Sequence, residues 1–144
     1  MSNPRRDGLS VVLECPQSTE YDEDTFLYFL DIERARAERS NHPLRLLFAT
    51  LEPEPGKPVP ISPASATRLF EGLKLLLRET DVLGWYRQDR VAGAVLSERA
   101  DRYGSDVSSV IQERVGEGLR QQLPSKTARS LRVRVVQLGP QRLG

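Results

Sequence analysis

The sequence predicts an α+β fold, an α/β sandwich in which a central, mostly antiparallel sheet is flanked by helices. Three observations lead there. Helical and strand periodicities follow one another as helix, strand, helix, hairpin, helix, strand. The first strand is apolar on both faces, which places it in the middle of a sheet. The last strand alternates apolar residues with arginines, the period of extended chain.

Each element has its own signal. "DEDTFLYFLDIERARAERS" predicts a helix over 25–40, with Phe26, Phe29, Leu30 and Ile32 as its apolar face. Its acidic start and basic end suit the helix dipole. "PLRLLFATLE" follows as the central strand, carrying Leu44, Leu46, Leu47, Phe48 and Ala49. "PEPGKPVPISP" is too rich in proline for a helix or an inner strand and predicts a surface loop. Ser62 before Pro63 reads as an N-cap and first helical position. The helix it opens buries Leu69, Phe70, Leu73, Leu76 and Leu77. Strands over 82–87 and 91–97 form a hairpin with a polar tip. A further helix, capped near Ser105, packs through Val107, Val110, Ile111, Val115 and Leu119. "LRVRVVQLG" closes the chain, and "SVVLE" near the start is a candidate short strand. The expected organisation is an N-terminal extension over 1–23 and a single domain over 24–144.

Composition narrows the function classes. With 144 residues and 38% hydrophobic content, the chain can bury a core without metals or disulfides. Twenty-one Lys and Arg against 20 Asp and Glu leave a formal charge of +1, which argues against bulk electrostatic binding to nucleic acid or membrane. Lysine occurs only at 57, 74 and 126, and all other basic residues are Arg. GC-rich coding accounts for that bias, although Arg also supplies a planar fork for phosphate and guanine edges. Cys15 is the only cysteine, so neither an intrachain disulfide nor a Cys-based metal site is open to the chain. The N-terminus lacks the apolar run of a signal peptide, and no segment approaches the ~20 apolar residues of a membrane span. A cytoplasmic protein is expected. His42 sits beside Pro43 with no nucleophile or metal-type partner near it in sequence, and no chemistry is assigned to it.

The stretch "LKLLLRETDVLGWYRQDRVAGAVLSE" holds the remaining information. Together with the order of elements, it resembles the GGDEF domain family of bacterial diguanylate cyclases over residues 24–139. In register, Arg87-Gln88-Asp89-Arg90-Val91 occupies the GGDEF turn, and only Asp89 keeps its family type. The family's glycines let the turn backbone approach a nucleotide; Arg87 and Gln88 put side chains there instead. The cyclase reaction also needs carboxylates that hold divalent cations on the triphosphate. Thr50 stands where the first of these is expected, with Glu52 two residues on. The family segment that helps bind the base is replaced by the proline-rich loop. The resemblance therefore implies a degenerate domain without cyclase activity, with no cofactor and no resident metal. Asp89 and Glu52 remain as carboxylates for one cation, but from the residues alone they read as a turn-favouring Asp and a solvated loop Glu.

Arg78-Glu79-Thr80-Asp81 is an RxxD, and five residues separate Asp81 from the degenerate turn. In the family that offset marks the inhibitory site, where cyclic di-GMP binds. The chemistry suits such a ligand: Arg donates a fork of hydrogen bonds to guanine O6 and N7 or to phosphate, and Asp accepts from guanine N–H groups. The same pair also fits a helix C-terminus followed by a turn. Two guanines and two phosphates call for further cations. Arg114, with Arg102 behind it, is the expected supplement, from the same chain or a second copy, unless both are ordinary surface arginines. Trp85 and Tyr86 are expected to pack against the sheet rather than stack on a base. The resemblance thus implies a cyclic di-GMP receptor or regulatory module. The alternative is a protein-interaction or dimerisation module of the same fold that binds no nucleotide.

Overall fold

The computed structural model describes residues 20–97 and 108–138. Cys15, the "SVVLE" segment, Arg102, Ser105 and Val107 lie outside them. Five strands form one antiparallel sheet: β1 (Leu44–Glu54), β2 (Lys57–Val59), β3 (Val82–Arg87), β4 (Val91–Leu96) and β5 (Leu131–Leu138). β1 is central, with β4 and then β3 on one side and β5 on the other. β2 pairs with the far end of β1. The helices are α1 (Glu23–Ser40), α2 (Pro63–Leu76), α3 (Ser108–Gln122) and the short α4 (Ser125–Ser130). Both β1–α2–β3 and β4–α3–β5 leave room for one strand between their ends, and the two units interleave, as in a split β-α-β arrangement.

The prediction for β1 holds for a visible reason. Leu47, Ala49 and Leu51 point into the larger core with Leu69, Phe70 and Leu73 of α2 and Val115 and Leu119 of α3. Leu44 and Leu46 point the other way, against Phe26 and Leu30 of α1 and Val95 of β4. In β5, Leu131, Val133 and Val135 are buried, whereas Arg134 is exposed on the opposite face. Trp85 is buried edge-on against Phe70, with centroids 5.1 Å apart, so the packing expectation for it is met. Tyr86 packs edge-on against Phe48. Gly84 gives α1 its seat: a Cβ there would lie 2.8 Å from both Phe26 Cδ1 and the Tyr21 carbonyl oxygen.

The structure corrects several expectations. α1 starts at Glu23 because Asp22 caps it, its carboxylate accepting from the Thr25 N–H at 2.9 Å. Tyr21 also joins the fold, donating to the Leu83 carbonyl and accepting from the Trp85 N–H. The proline-rich stretch is not wholly loop. β1 runs on through Pro53 and Glu54, Gly56 turns the chain at φ +82°, and β2 returns along the edge, where the missing N–H of Pro58 costs little. Val110 does not pack; it is exposed on α3. On α1 only Phe26 and Leu30 are fully buried, while Phe29 and Ile32 are half-exposed. α4 was not predicted, since "SKTARS" is too short to show a helical period.

Candidate functional site

Three polar constellations stand where the sequence places function: the hairpin tip, the end of β1 and the corner between α2 and β3.

At the tip, Arg87 ends β3 and its carbonyl accepts from the Arg90 N–H at 3.0 Å, closing a tight turn. Asp89 takes φ +63°, a left-handed conformation that Asp tolerates better than most residues. The turn is tied to α1. The Gln88 N–H donates to Glu23 Oε1 at 2.7 Å, and the Glu23 N–H donates to Gln88 Oε1 at 3.0 Å. The Asp89 carbonyl accepts from the Ile61 N–H at 2.7 Å, and the Arg87 guanidinium lies 4.6 Å from the Tyr86 ring centre. The polar side chains at this turn are therefore bonded largely to their own chain. The reciprocal Glu23–Gln88 pair spans 65 residues and leaves no local signal in sequence.

Glu52 was expected to be a solvated loop residue, and this is corrected: it is 2% exposed on β1. Its Oε2 accepts from Arg134 Nη1 at 3.1 Å and from Thr50 Oγ1 at 2.6 Å, and its Oε1 accepts from the Gly56 N–H at 3.0 Å. The Arg134 guanidinium and the Thr50 hydroxyl overcome the effect of burial and hold this carboxyl at a pKa of about 2. A buried carboxylate at the end of the central strand is thus matched by a guanidinium from β5. Arg134 was not singled out as a site residue. Its signal was present, because alternation in "RVRVV" puts Arg134 on the face away from the larger core. Among the described residues, no group of three His, Cys, Asp or Glu side chains is arranged to hold a metal ion.

The RxxD pair lies at the corner between α2 and β3. Asp81 is 8% exposed, and its carboxylate staples main chain. Oδ2 accepts from the Arg78 N–H at 2.8 Å; Oδ1 accepts from the Ser97 N–H at 2.6 Å and from Ser97 Oγ at 2.9 Å. The Asp81 N–H donates to the Arg78 carbonyl at 3.0 Å. Arg78 and Asp81 line a cleft of about 520 Å³ together with Tyr21, Lys74, Thr80 and Leu83. That volume falls in the ~300–1,000 Å³ range of small-molecule sites. Lys74 was not foreseen; one helical turn before Arg78, it adds a second cation. Arg114 is exposed on α3 and is not among the residues lining this cleft.

No family model matches the chain, and no curated protein gives a significant match. Among solved structures, the chain is similar to the crystal structure of the FimX GGDEF domain from Pseudomonas aeruginosa, with a TM-score of 0.60 and 15% identity, over 90% of this chain and 82% of that chain. At that identity the likeness is one of fold. The chain has a GGDEF-like α+β fold, and among its described residues no helix is long and apolar enough to cross a membrane.

Proposed function

We propose that this chain is a regulatory domain of bacterial cyclic di-GMP signalling that keeps the GGDEF-like fold, performs no cyclase reaction and acts by binding. The observation that carries this reading is the Glu52–Arg134 pair. A cyclase would need carboxylates free to hold cations on a triphosphate. Here the acid at the end of β1 already has a tethered cation and two further donors. A divalent ion would have to displace Arg134 and leave it beside the metal, a like-charge contact. The tip adds a second obstacle, because Arg87 and Gln88 carry side chains where close backbone approach would be required.

The ligand in this reading is cyclic di-GMP, held in the cleft beside Arg78. Arg78 and Lys74 supply cationic donors for phosphate and guanine edges, and Tyr21 and Leu83 supply apolar wall. Asp81 keeps a supporting part: by fixing the Arg78 N–H and Ser97 it sets the shape of the corner. A second reading, an interaction module that binds no nucleotide, is favoured by one fact. The acidic half of the pair accepts three hydrogen bonds from its own chain, leaving little capacity for a guanine.

Two measurements test this. Incubation with GTP and magnesium should give neither a cyclic nor a linear dinucleotide; either product would sink the non-catalytic reading. Calorimetric titration with cyclic di-GMP should give a dissociation constant of tens of micromolar or tighter, weakened at least tenfold in Arg78→Ala. No heat from the wild type would remove the receptor and leave the nucleotide-free module.

A further inference from the structure

The edges of the sheet are not finished in the same way. β3 is joined by Tyr21, which pairs with Gly84, and the short β2 carries Pro58. β5 has neither device. It follows β1 over its 8 residues without a bulge and contains no proline. Among the described residues, no strand lies along its other side. A long, regular edge of this kind is a template for one more strand.

One position on this edge already carries a substitute for a neighbour. The Val135 N–H donates to Gln112 Oε1 of α3 at 2.9 Å, so a side-chain amide takes the place of a strand carbonyl. Main-chain groups of an antiparallel strand face its two sides in alternation, and those of Val133 and Gln137 therefore turn outward in phase with Val135. Val133 lines a groove of about 460 Å³ between β5 and the flank of α3, whose walls include Gln112, Glu113, Glu117 and Arg120.

The charges around the groove say which side chains a further strand would carry. Glu113 and Glu117 are exposed, and among the described residues neither makes an ion pair. They stand about 6 Å apart along the helix, close to the ~6.8 Å between residues i and i+2 of a strand. Arg132 and Arg134 of β5 have that two-residue spacing on the opposite face of the sheet. One Arg134 nitrogen serves Glu52 and one Arg132 nitrogen serves the Leu131 carbonyl, which leaves further donors on each guanidinium. A strand beside β5 would thus point two basic residues at Glu113 and Glu117 and intervening acids at the arginines. Arg120, one turn beyond Glu117, calls for an uncharged residue at the end of the basic face. Two β5 edges paired antiparallel would set the acids of both α3 helices on one face and the arginines of both strands on the other. Like would meet like, so the fit is to a different chain.

We infer that the β5 edge and the flank of α3 form a docking groove for an extended peptide segment of another protein, bound as an added strand that alternates basic with acidic residues. Main-chain bonds to β5 supply affinity, and the two charged faces select the sequence. The inference stands on β5 and α3 and does not depend on whether nucleotide binds beside Arg78.

A short probe tests it: Thr-Glu-Lys-Glu-Lys-Glu-Thr, with blocked ends and a fluorescein label. It reads the same in both directions, so it fits either strand polarity. The control, Thr-Lys-Lys-Glu-Glu-Glu-Thr, has the same composition and charge without the alternation. Anisotropy titration with the full chain, without nucleotide, should give a dissociation constant of tens to hundreds of micromolar for the probe. Binding of the control should be at least tenfold weaker. Replacing both acids, Glu113→Lys with Glu117→Lys, should weaken the probe tenfold or more; both are exposed, and unchanged Trp85 fluorescence reports that the variant is folded. Exchange of the Val133 amide, followed by NMR, should slow when the probe binds. No binding at millimolar probe overturns the inference, as does equal binding of the control. Binding that ignores the two acids, or leaves Val133 exchange unchanged, does the same. Val133 protection that grows with protein concentration alone would assign the edge to a second copy and also overturn it. Because no nucleotide is present, failure here leaves the cyclic di-GMP reading untouched, and failure of that reading leaves this one untouched.

Discussion

Glu52 and Asp81 are both buried carboxylates beside the central strands, and both have their oxygens filled from within the chain, but by different kinds of donor. Glu52 faces a guanidinium carried by β5, whose side chain is half-exposed, and forms an ion pair with it. Asp81 faces main-chain N–H groups from the end of α2 and from the residue after β4. The first arrangement matches one charge with another. The second ties two part-buried backbone donors from separate segments to one side chain, so it fixes the path of the chain. The motif residue that reads as a ligand group in sequence is thus the more architectural of the two.

If that contrast is right, Asp81 matters most to stability. Asp81→Ala removes the acceptor from the Arg78 and Ser97 N–H groups together, and we expect a loss of about 3 kcal/mol in urea unfolding. Arg78→Ala should cost less than 1 kcal/mol, because its backbone N–H survives the substitution. Equal losses from the two variants would show that the pair works as a unit, and the division between staple and ligand group would fall.

The Glu52 pair should give a smaller effect with a pH signature. The unfolded chain takes up this proton near pH 4.5 and the folded chain only near pH 2. The unfolded state therefore binds more protons between those values, and stability falls as the pH falls through that window. The contribution, on the order of 2 kcal/mol after solvent screening at Arg134, is complete above pH 4.5 and gone below 2. Glu52→Gln should remove that slope, and Arg134→Ala should reduce it by returning the folded pKa toward the ordinary range. A wild-type slope that persists in Glu52→Gln would place the titration elsewhere and end the comparison.

The sequence made the frame of this arrangement legible because the frame rests on local rules. Alternation exposed the two-faced β1 and the half-wet β5, and Ser62-Pro63 marked the start of α2 where the structure has it. The hairpin ends fell within one residue of the prediction, since Gln88-Asp89-Arg90 breaks an apolar period on both sides. What escaped was decided at long range. Nothing near Glu52 announces an arginine 82 residues away, and Glu52 read as loop because Pro53 follows it. Phe29 and Ile32 looked like core because a helix with two apolar stripes has the same period as a helix with one. The staple role of Asp81 depends on Ser97, which sequence places only at the end of another strand.

The smallest expected effect is at the hairpin tip, which resembles neither carboxylate. Glu23 and Gln88 are joined by two hydrogen bonds between backbone and side chain, both at the surface, so water competes for each. Exposed pairs of this kind contribute a few tenths to about 1 kcal/mol. A double-mutant cycle isolates the coupling: Glu23→Ala, Gln88→Ala and the combination, each unfolded in urea. We expect a coupling of about 0.5 kcal/mol, with faster hydrogen exchange at the Gln88 amide in Glu23→Ala, because that substitution alone removes its acceptor. Additive losses and unchanged exchange would mean that the turn holds its shape through the Arg87–Arg90 and Ile61–Asp89 bonds without help from α1. The tip would then be a passive end of the hairpin, and a shift of α1 would have no hydrogen-bonded route to it.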